Sequence, residues 1–450
     1  MKWPAYAMYK ESRVQWLGDV PEEWDVSPIK FLVSTPVTDG PHETPEIFNE
    51  GIPFVSAEAI NNGKINFDKI RGHISEEDHK RFSKKYKPKL GDIYMVKSGA
   101  TTGRIAMVET DTEFNIWSPL AAIRCNSKLV DRHFLYFYLQ SKEFQTGVEL
   151  SWSFGTQQNI GMGVIQNLAV PIPSIPEQTA IADFLNRETG RIDTLVGKKR
   201  TLISLLKEKR TSLISRTVTR GLPSGIAREF YLEPNTRFKD SGINWLGKIP
   251  DGWDIRKFSR EVNIAEGQVD PEREPYASMV LIGPEHVESR TGRLLRQATA
   301  AEQTAESGKY ISRKGDVIYS KIRPALRKVV IAPEDCLCSA DMYPLRGVRV
   351  ENKFIYWFLL TEQFSAWSVL EADRVAMPKI NRNTLNELRM PVPPLPEQSA
   401  IAIYLDRETA KLDKLVEKVD AAVIRLQEYR HALITAAITG KIDVREVTTA

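Results

Sequence analysis

The chain is poor in the residues that build most catalytic centres. It has three cysteines, Cys125, Cys336 and Cys338, and six scattered histidines. Cys336 and Cys338 stand one residue apart, too close for a zinc knuckle, and no Cys/His cluster accompanies them. They read as reduced thiols, the state expected of a cytoplasmic protein. No run approaches about 18 uninterrupted apolar residues, so no segment reads as spanning a bilayer. Met1-Lys2-Trp3-Pro4-Ala5-Tyr6 lacks the apolar core of a signal peptide. The phosphate loop G-x-x-x-x-G-K-[S/T] is missing, as are H-E-x-x-H and G-x-S-x-G. So is the Asn-Pro-Pro-aromatic segment that adenine methyltransferases use. No catalytic residue and no metal ligand is assigned. A net charge of +4 is too small to argue for nucleic acid by itself. Charge is concentrated locally in Lys80, Arg81, Lys84, Lys85, Lys87 and Lys89, a run without an acid that reads equally well as a solvated loop.

What is present is a duplication. Trp16-Leu17-Gly18, Pro21 and Trp24 return as Trp245-Leu246-Gly247, Pro250 and Trp253, an offset of 229 (245 − 16). Pro176-Glu177-Gln178 returns as Pro396-Glu397-Gln398, an offset of 220 (396 − 176). Matching order at a near-constant offset means a repeated domain-plus-helix unit within 450 residues, not a short solenoid. Five segments follow: a globular part over 10–170, a helix over 171–221, a linker over 222–237, a second globular part over 238–390 and a second helix over 391–441. In the first globular part, Ile93–Val96 and Ile105–Val108 read as strands around a polar loop. The stretch Asp131–Gln145 reads as one helix burying Phe134, Phe137, Tyr138 and Phe144. Val317–Tyr319, Val329–Ile331, Phe354, Trp357, Phe358 and Phe364 replay the pattern. These aromatics are read as core.

Each globular part ends in a Pro-rich strap, and each strap runs into a long apolar-striped segment. Proline suits a first helical turn, and Glu177 and Glu397 complement the positive end of the helix dipole. Leu405, Leu412, Val419, Leu426 and Leu433 recur every seventh residue, matched by Leu185, Ile192, Lys199, Leu206 and Leu213. Leu195, Leu202, Leu415 and Val423 are assigned to the other edge of the seam. A heptad sustained this long predicts a coiled coil, about 60 Å for roughly 40 residues. Gly221 and Gly440 stand where C-caps belong. An internal antiparallel pair is favoured; the alternative is that each helix recruits a helix from a partner.

With catalytic motifs missing, the candidate sites are binding surfaces. Lys97, Ser98, Thr101, Thr102 and Arg104 lie in a cationic, glycine-containing loop that can approach a phosphate backbone, and arginine can reach a guanine edge. Gly99–Arg104 joins two strands with no helix after it, so it is not a nucleotide loop. The counterpart is Lys321–Lys328, with Lys321, Arg323, Arg327 and Lys328. Gln157 and Gln158, and Lys379 and Arg382, each just before a strap, complete the DNA-binding candidates.

This pattern resembles the specificity subunits of type I restriction-modification systems over essentially the whole chain. The resemblance rests on both Trp-Leu-Gly elements and on Gly91-Asp92-Ile93 with Gly315-Asp316-Val317. It also rests on Ser98-Gly99 through Gly103-Arg104 and on both Pro-Glu-Gln helix starts. The second copy departs from it: Lys321–Arg327 replaces the glycine-rich loop. The resemblance implies an α+β protein. Two similar globular α/β target-recognition domains would be separated by a long antiparallel two-helix coiled coil with pseudo-two-fold symmetry. Each domain would read half of a split double-stranded DNA site, the helices would set the gap, and the Trp-Leu-Gly elements would be structural. The chain would not be an enzyme and would bind no cofactor. Two modification subunits that methylate adenine with S-adenosylmethionine, and two ATP- and Mg-dependent restriction subunits, would be its partners. Glu177, Gln178, Arg187, Glu397, Gln398 and Arg407 are the partner-binding candidates. The alternatives are a free-standing sequence-specific DNA-binding protein, an enzyme of unfamiliar motif, and a coiled-coil scaffold.

Overall fold

The computed structural model describes residues 3–152, 159–372 and 378–445. The chain divides into two compact units, Met1–Lys199 with Ala421–Ala450, and Arg200–Asp420. The first unit therefore joins two separate stretches of sequence, while the second is one continuous stretch with a helix segment on either side of its globular part.

In the first unit a four-stranded antiparallel sheet has the order Ile105–Met107, Ile93–Val96, Leu120–Ile123, Thr38–Asp39. A three-stranded sheet, Asn115–Ile116, Ile52–Val55 and Gly72–Ile74, lies beside it in the same part. The second unit has a four-stranded sheet, Val262–Ile264, Met342–Gly347, Val317–Ser320, Val329–Ile331, and another of four short strands. The predicted strand pairs are present, with Met95 opposite Ile105 and Tyr319 opposite Val329.

The single helix expected over Asp131–Gln145 is two, Arg132–Leu139 and Lys142–Leu150. The break follows from capping. Ser141 takes an extended conformation and its hydroxyl accepts from the Phe144 amide at 3.2 Å, which starts a new helix. Thr361 does the same for Phe364 at 3.1 Å in the second unit. The aromatic side chains on these helices are buried as expected. The Lys80–Lys89 run is also not a simple solvated loop. Lys80 and Arg81 sit in the helix Glu76–Ser83, while Lys85 and Lys87 reach Asp39 and Glu113.

The Pro straps are partly strands: Ala169–Ile172 pairs with Asp25–Pro28, and Arg389–Val392 with Asp254–Lys257. The long helices follow, α1 (Ile175–Arg220) and α2 (Leu395–Ile438). Gly221 and Gly440, at φ +81° and +70°, end them in the left-handed conformation that glycine adopts without a steric penalty.

The heptad edge through Leu185, Ile192 and Leu206 is buried. The other edge is not where the sequence reading put it. Leu195, Leu202 and Leu415 are exposed, and only Val423 of that set is buried. The inward positions stand one residue past those three leucines, on the same heptad line as Val423: Thr189, Val196, Ile203 and Arg210 on α1, and Thr409, Val416, Val423 and Arg430 on α2. Apolarity misled here. The seam holds threonines whose hydroxyls bond back to Leu185 and Leu405 carbonyls at 2.6 Å, which satisfies them inside the helix.

In the first unit Arg430 Nε donates to Asp193 at 3.0 Å, and in the second Arg210 Nε donates to Asp413 at 2.9 Å. Within each unit the two helix segments run antiparallel: Gly221 at the end of α1 lies against Glu397 at the start of α2 while Arg210 meets Asp413 further in, and Gly440 at the end of α2 lies against Trp24, the partner of Glu177, while Arg430 meets Asp193. Burying each leucine or valine of the seam contributes about 1.5–3 kcal/mol, which supplies the stability. Each ion pair, partly desolvated, spans the two helices in this register.

Candidate nucleic-acid interface

The turn between Ile93–Val96 and Ile105–Met107 is closed by its own backbone. Gly103 N donates to Val96 O at 2.8 Å, and Thr102 N and Oγ1 both reach Gly99 O, at 3.1 and 2.7 Å. Gly99 and Gly103 have φ of +96° and +91°, which the turn demands. The Ser98, Thr101 and Thr102 side chains are half-buried and Arg104 is exposed, its Nη1 weakly donating to Ile60 O at 3.4 Å.

Lys97 is less free than its sequence position suggests. Its side chain is 13% exposed and its ammonium lies 3.1 Å from buried Asp39, which Lys85 also reaches at 2.5 Å. Burial alone would raise the Asp39 pKa. Hydrogen bonds from Lys85 and Lys97 outweigh it and hold the carboxyl below its ordinary value. His42 Nε2 stands 3.0 Å from the same carboxylate. Asp39, which the sequence reading missed, thus sits at the root of the basic loop.

The fold brings this loop to the segment before the strap. Ile160 N donates to Lys97 O at 2.8 Å, and Ser98 bridges Asn159. The candidates Gln157 and Gln158 lie outside the described residues. The second unit repeats the arrangement: Ile380 N donates to Lys321 O at 2.8 Å, Arg323 N to Pro378 O at 2.8 Å, and Ile322 bridges Lys379. In both units the turn and the pre-strap segment form one surface.

The second turn is built differently. Pro324–Leu326 is a short 3-10 helix flanked by Arg323 and Arg327, each at φ +47°. Arg323 and Lys379 are exposed, and Lys321 lies over the Tyr343 ring at 5.2 Å. Lys328 Nζ donates to Pro284 O at 2.5 Å. Arg327 is half-buried with its Nε unpaired; burial, then Arg290 nearby, pulls its pKa below the ordinary arginine value. Arg382 donates to the carbonyls of Ile264 and Ala265, both at 2.8 Å, and to Glu266 at 3.2 Å. Of the second-unit candidates, Arg323 and Lys379 present the most open charge, while Arg382 is occupied in tying its helix to the end of the Val262–Ile264 strand.

The Pro-Glu-Gln residues are taken up by the fold. Glu177 Oε1 accepts from Tyr6 Oη at 2.7 Å and from Trp24 Nε1 at 3.1 Å, all buried. Glu397 accepts from Trp253 Nε1 at 2.8 Å and Asn235 Nδ2 at 2.5 Å. Burial raises the Glu397 pKa against the lowering effect of those two bonds. Gln178 and Gln398 accept the Asp131 and Glu351 amides at 2.8 and 2.9 Å and donate to the Pro173 and Pro393 carbonyls. The repeated tryptophans and the repeated Pro-Glu-Gln therefore form one joint that seats each long helix. Arg187 and Arg407 are exposed on α1 and α2, beside Glu188 and Glu408.

Among the described residues no cluster of three or more His, Cys, Asp or Glu could hold a metal ion. Among them, too, no helix is long and apolar enough to cross a membrane.

Comparison with known proteins places this geometry. Residues 21–203 and 252–423 match the type I restriction modification DNA specificity domain, one match in each repeat. The type I restriction enzyme EcoDI specificity subunit of Escherichia coli is 28% identical over 322 residues, 70% of this chain and 71% of that one. The MjaVIII specificity subunit of Methanocaldococcus jannaschii is 22% identical over 450 residues, 95% of each chain. A solved chain, described under the structural basis of complex assembly and conformational transition of the type I R-M system, superimposes with a TM-score of 0.62. It is 17% identical, covering 93% of this chain and 98% of that one. The α+β fold with its paired long helices is thus that of specificity subunits, which recognise DNA and are not themselves the enzyme. The chain belongs to the type I restriction-modification DNA specificity family.

Proposed function

We propose that each globular part reads one half of a split, asymmetric duplex site. In the first unit Lys97, Ser98, Thr101, Thr102 and Arg104 face the DNA, and Gln157 and Gln158, which lie outside the described residues, complete the set. In the second, Lys321, Arg323, Arg327, Lys328, Lys379 and Arg382 supply the equivalent surface, with Arg323 and Lys379 outermost. The observation that carries this reading is the repeated joint between turn and pre-strap segment, from Lys97 O to Ile160 N and from Lys321 O to Ile380 N, both 2.8 Å. The joint is shared while the turns differ in backbone and in side chains, so two unlike half-sites are expected. Phosphate contacts would position each unit and base-edge contacts from the exposed arginines would specify sequence.

The reading extends to the assembly. Two modification subunits dock on the helices, where Arg187 and Arg407 are exposed, while Glu177, Gln178, Glu397 and Gln398 fix where each helix starts. Two restriction subunits complete the complex. S-adenosylmethionine, ATP and magnesium are bound by those partners and not by this chain. The test is a swap of residues 238–390 for the equivalent part of another family member, followed by mapping of methylated adenines in the host genome. One half-site should change and the other persist. A change in both, or in neither, overturns independent reading.

A further inference from the structure

We infer that Tyr136 with Arg430, and Tyr356 with Arg210, are positioning residues that tie each DNA-reading turn to the helix pair of its own unit. This rests on the reading of the turns given above. In the first unit Ile60–Asn61 and Lys64–Ile65 form a hairpin whose two-residue tip is Asn62-Gly63, at φ +50° and +78°. Asn-Gly is the pair that a tight type I′ hairpin turn favours. Tyr136 Oη donates to Gly63 O at 3.0 Å, and a Cβ on Gly63 would lie 2.2 Å from that hydroxyl. The hairpin tip also bridges Ala106, next to the reading turn, and Arg104 of that turn reaches back to Ile60 O. Arg430, held by Asp193, lines a cavity with Asn62, Gly63 and Arg104.

The second unit has a related arrangement on a tip of different sequence, and there the helix arginine bonds the tip directly. Arg290 and Gly292 stand at φ +68° and +75°, and Tyr356 Oη donates to Thr291 O at 3.1 Å. A Cβ on Gly292 would lie 2.0 Å from the Tyr356 hydroxyl. Arg210 Nη1 and Nη2 donate to the Arg290 and Thr291 carbonyls at 3.0 and 3.2 Å while its Nε holds Asp413. The Arg290 amide in turn donates to Arg327 O, in the reading turn, at 3.3 Å. In the second unit a continuous run of polar contacts therefore leads from helix to tip to reading turn; in the first, Tyr136 makes the bond to the tip and Arg430 stands across the shared cavity. Tyr136 and Tyr356 are 220 apart (356 − 136), as are Arg210 and Arg430 (430 − 210), so the device is duplicated. It is also crossed, because the first tip uses the arginine of α2 and the second that of α1.

A reading turn held this way meets the DNA at a fixed place along the helix. Releasing it should loosen the spacing at which the half-sites are accepted and leave their sequences alone. The test uses the full chain in its complex, as Tyr356→Phe and as Tyr356→Phe with Arg210→Gln, each read by methylated-adenine mapping and a thermal melt. Both half-site sequences should persist. Sites with a gap one base pair shorter or longer should gain methylation about tenfold, the factor that one or two lost hydrogen bonds supply. Uniformly weaker methylation at the wild-type gap, with no new spacing, would mean a purely structural role and would overturn the inference. If the double variant does not fold, the Tyr356→Phe result decides by the same outcomes. A wild-type map without any two-part motif would instead sink the split-site reading itself, so the two failures are distinguishable.

Discussion

Arg210 donates its Nε to both carboxylate oxygens of Asp413, at 2.9 and 3.2 Å, across the antiparallel helix segments of the second unit. Its guanidinium is 8% exposed and the aspartate 42%. Asp413→Ala would leave a nearly buried cation without its counter-charge, though still bonded to two carbonyls. The expected loss is about 1–3 kcal/mol of stability, read from chemical denaturation. Arg191→Ala, which breaks an exposed pair with Glu188, should cost under about 0.5 kcal/mol.

Glu397 gives the stability curve a pH dependence of known sign. Its pKa in the folded chain is raised above the ordinary 4.5, mainly by burial. The folded state therefore holds that proton more tightly than the unfolded one. The stabilisation is fully present below the ordinary glutamate value and is lost as pH rises through the folded pKa. Glu397→Gln cannot titrate. The stability difference, wild type minus variant, should be larger at pH 4.5 than at pH 8 in urea unfolding, and an equal difference at both would refute the assignment.

The exposed and the committed arginines should behave differently. Arg104→Ala and Arg323→Ala leave the packing untouched, so melting should hold while methylation weakens, each at the half-site of its own unit. A base-reading arginine is worth about 1–3 kcal/mol of discrimination. Arg382→Ala removes bonds to the Ile264 and Ala265 carbonyls at a strand end and should lower the melting temperature of the second unit before any effect on readout is scored.

If the helices set the gap, length should be read out in base pairs. Inserting seven residues at matching heptad positions in α1 and α2 keeps the seam in phase and adds about 10 Å. At about 3.4 Å per base pair the methylated gap should grow by roughly three, with both half-sites unchanged. Retention of the old spacing would argue against the helices as a ruler.

Much of this fold was legible because it is written twice. The repeated tryptophans, the Pro-Glu-Gln starts and one edge of the seam could be read by position, and the strands around the turns by their apolar runs. What could not be read depended on partners far away in sequence. Thr189, Arg210, Thr409 and Arg430 occupy seam positions, yet nothing local marks a polar residue as inward. Leucines 195, 202 and 415, by contrast, look inward and are exposed. The helix break at Ser141 carried a local signal, a hydroxyl three residues before Phe144, that the aromatic spacing overrode. In the candidate site, charge identified the turns. Only long-range contacts reveal that Lys97 is held by Asp39 and Arg382 by Ile264 and Ala265, while Arg104 and Arg323 stay open.

The seam pair has a consequence for fragments of this chain. Asp193 and Arg210 both lie on α1, and their counterparts Asp413 and Arg430 occupy the same two places on α2. A polypeptide cut just after Gly221 would carry an acid and a base that match those of a second identical copy. Such halves should associate as a homodimer, self-complementary along the cut helix. The DNA site they select should then be a palindrome of the first half-site.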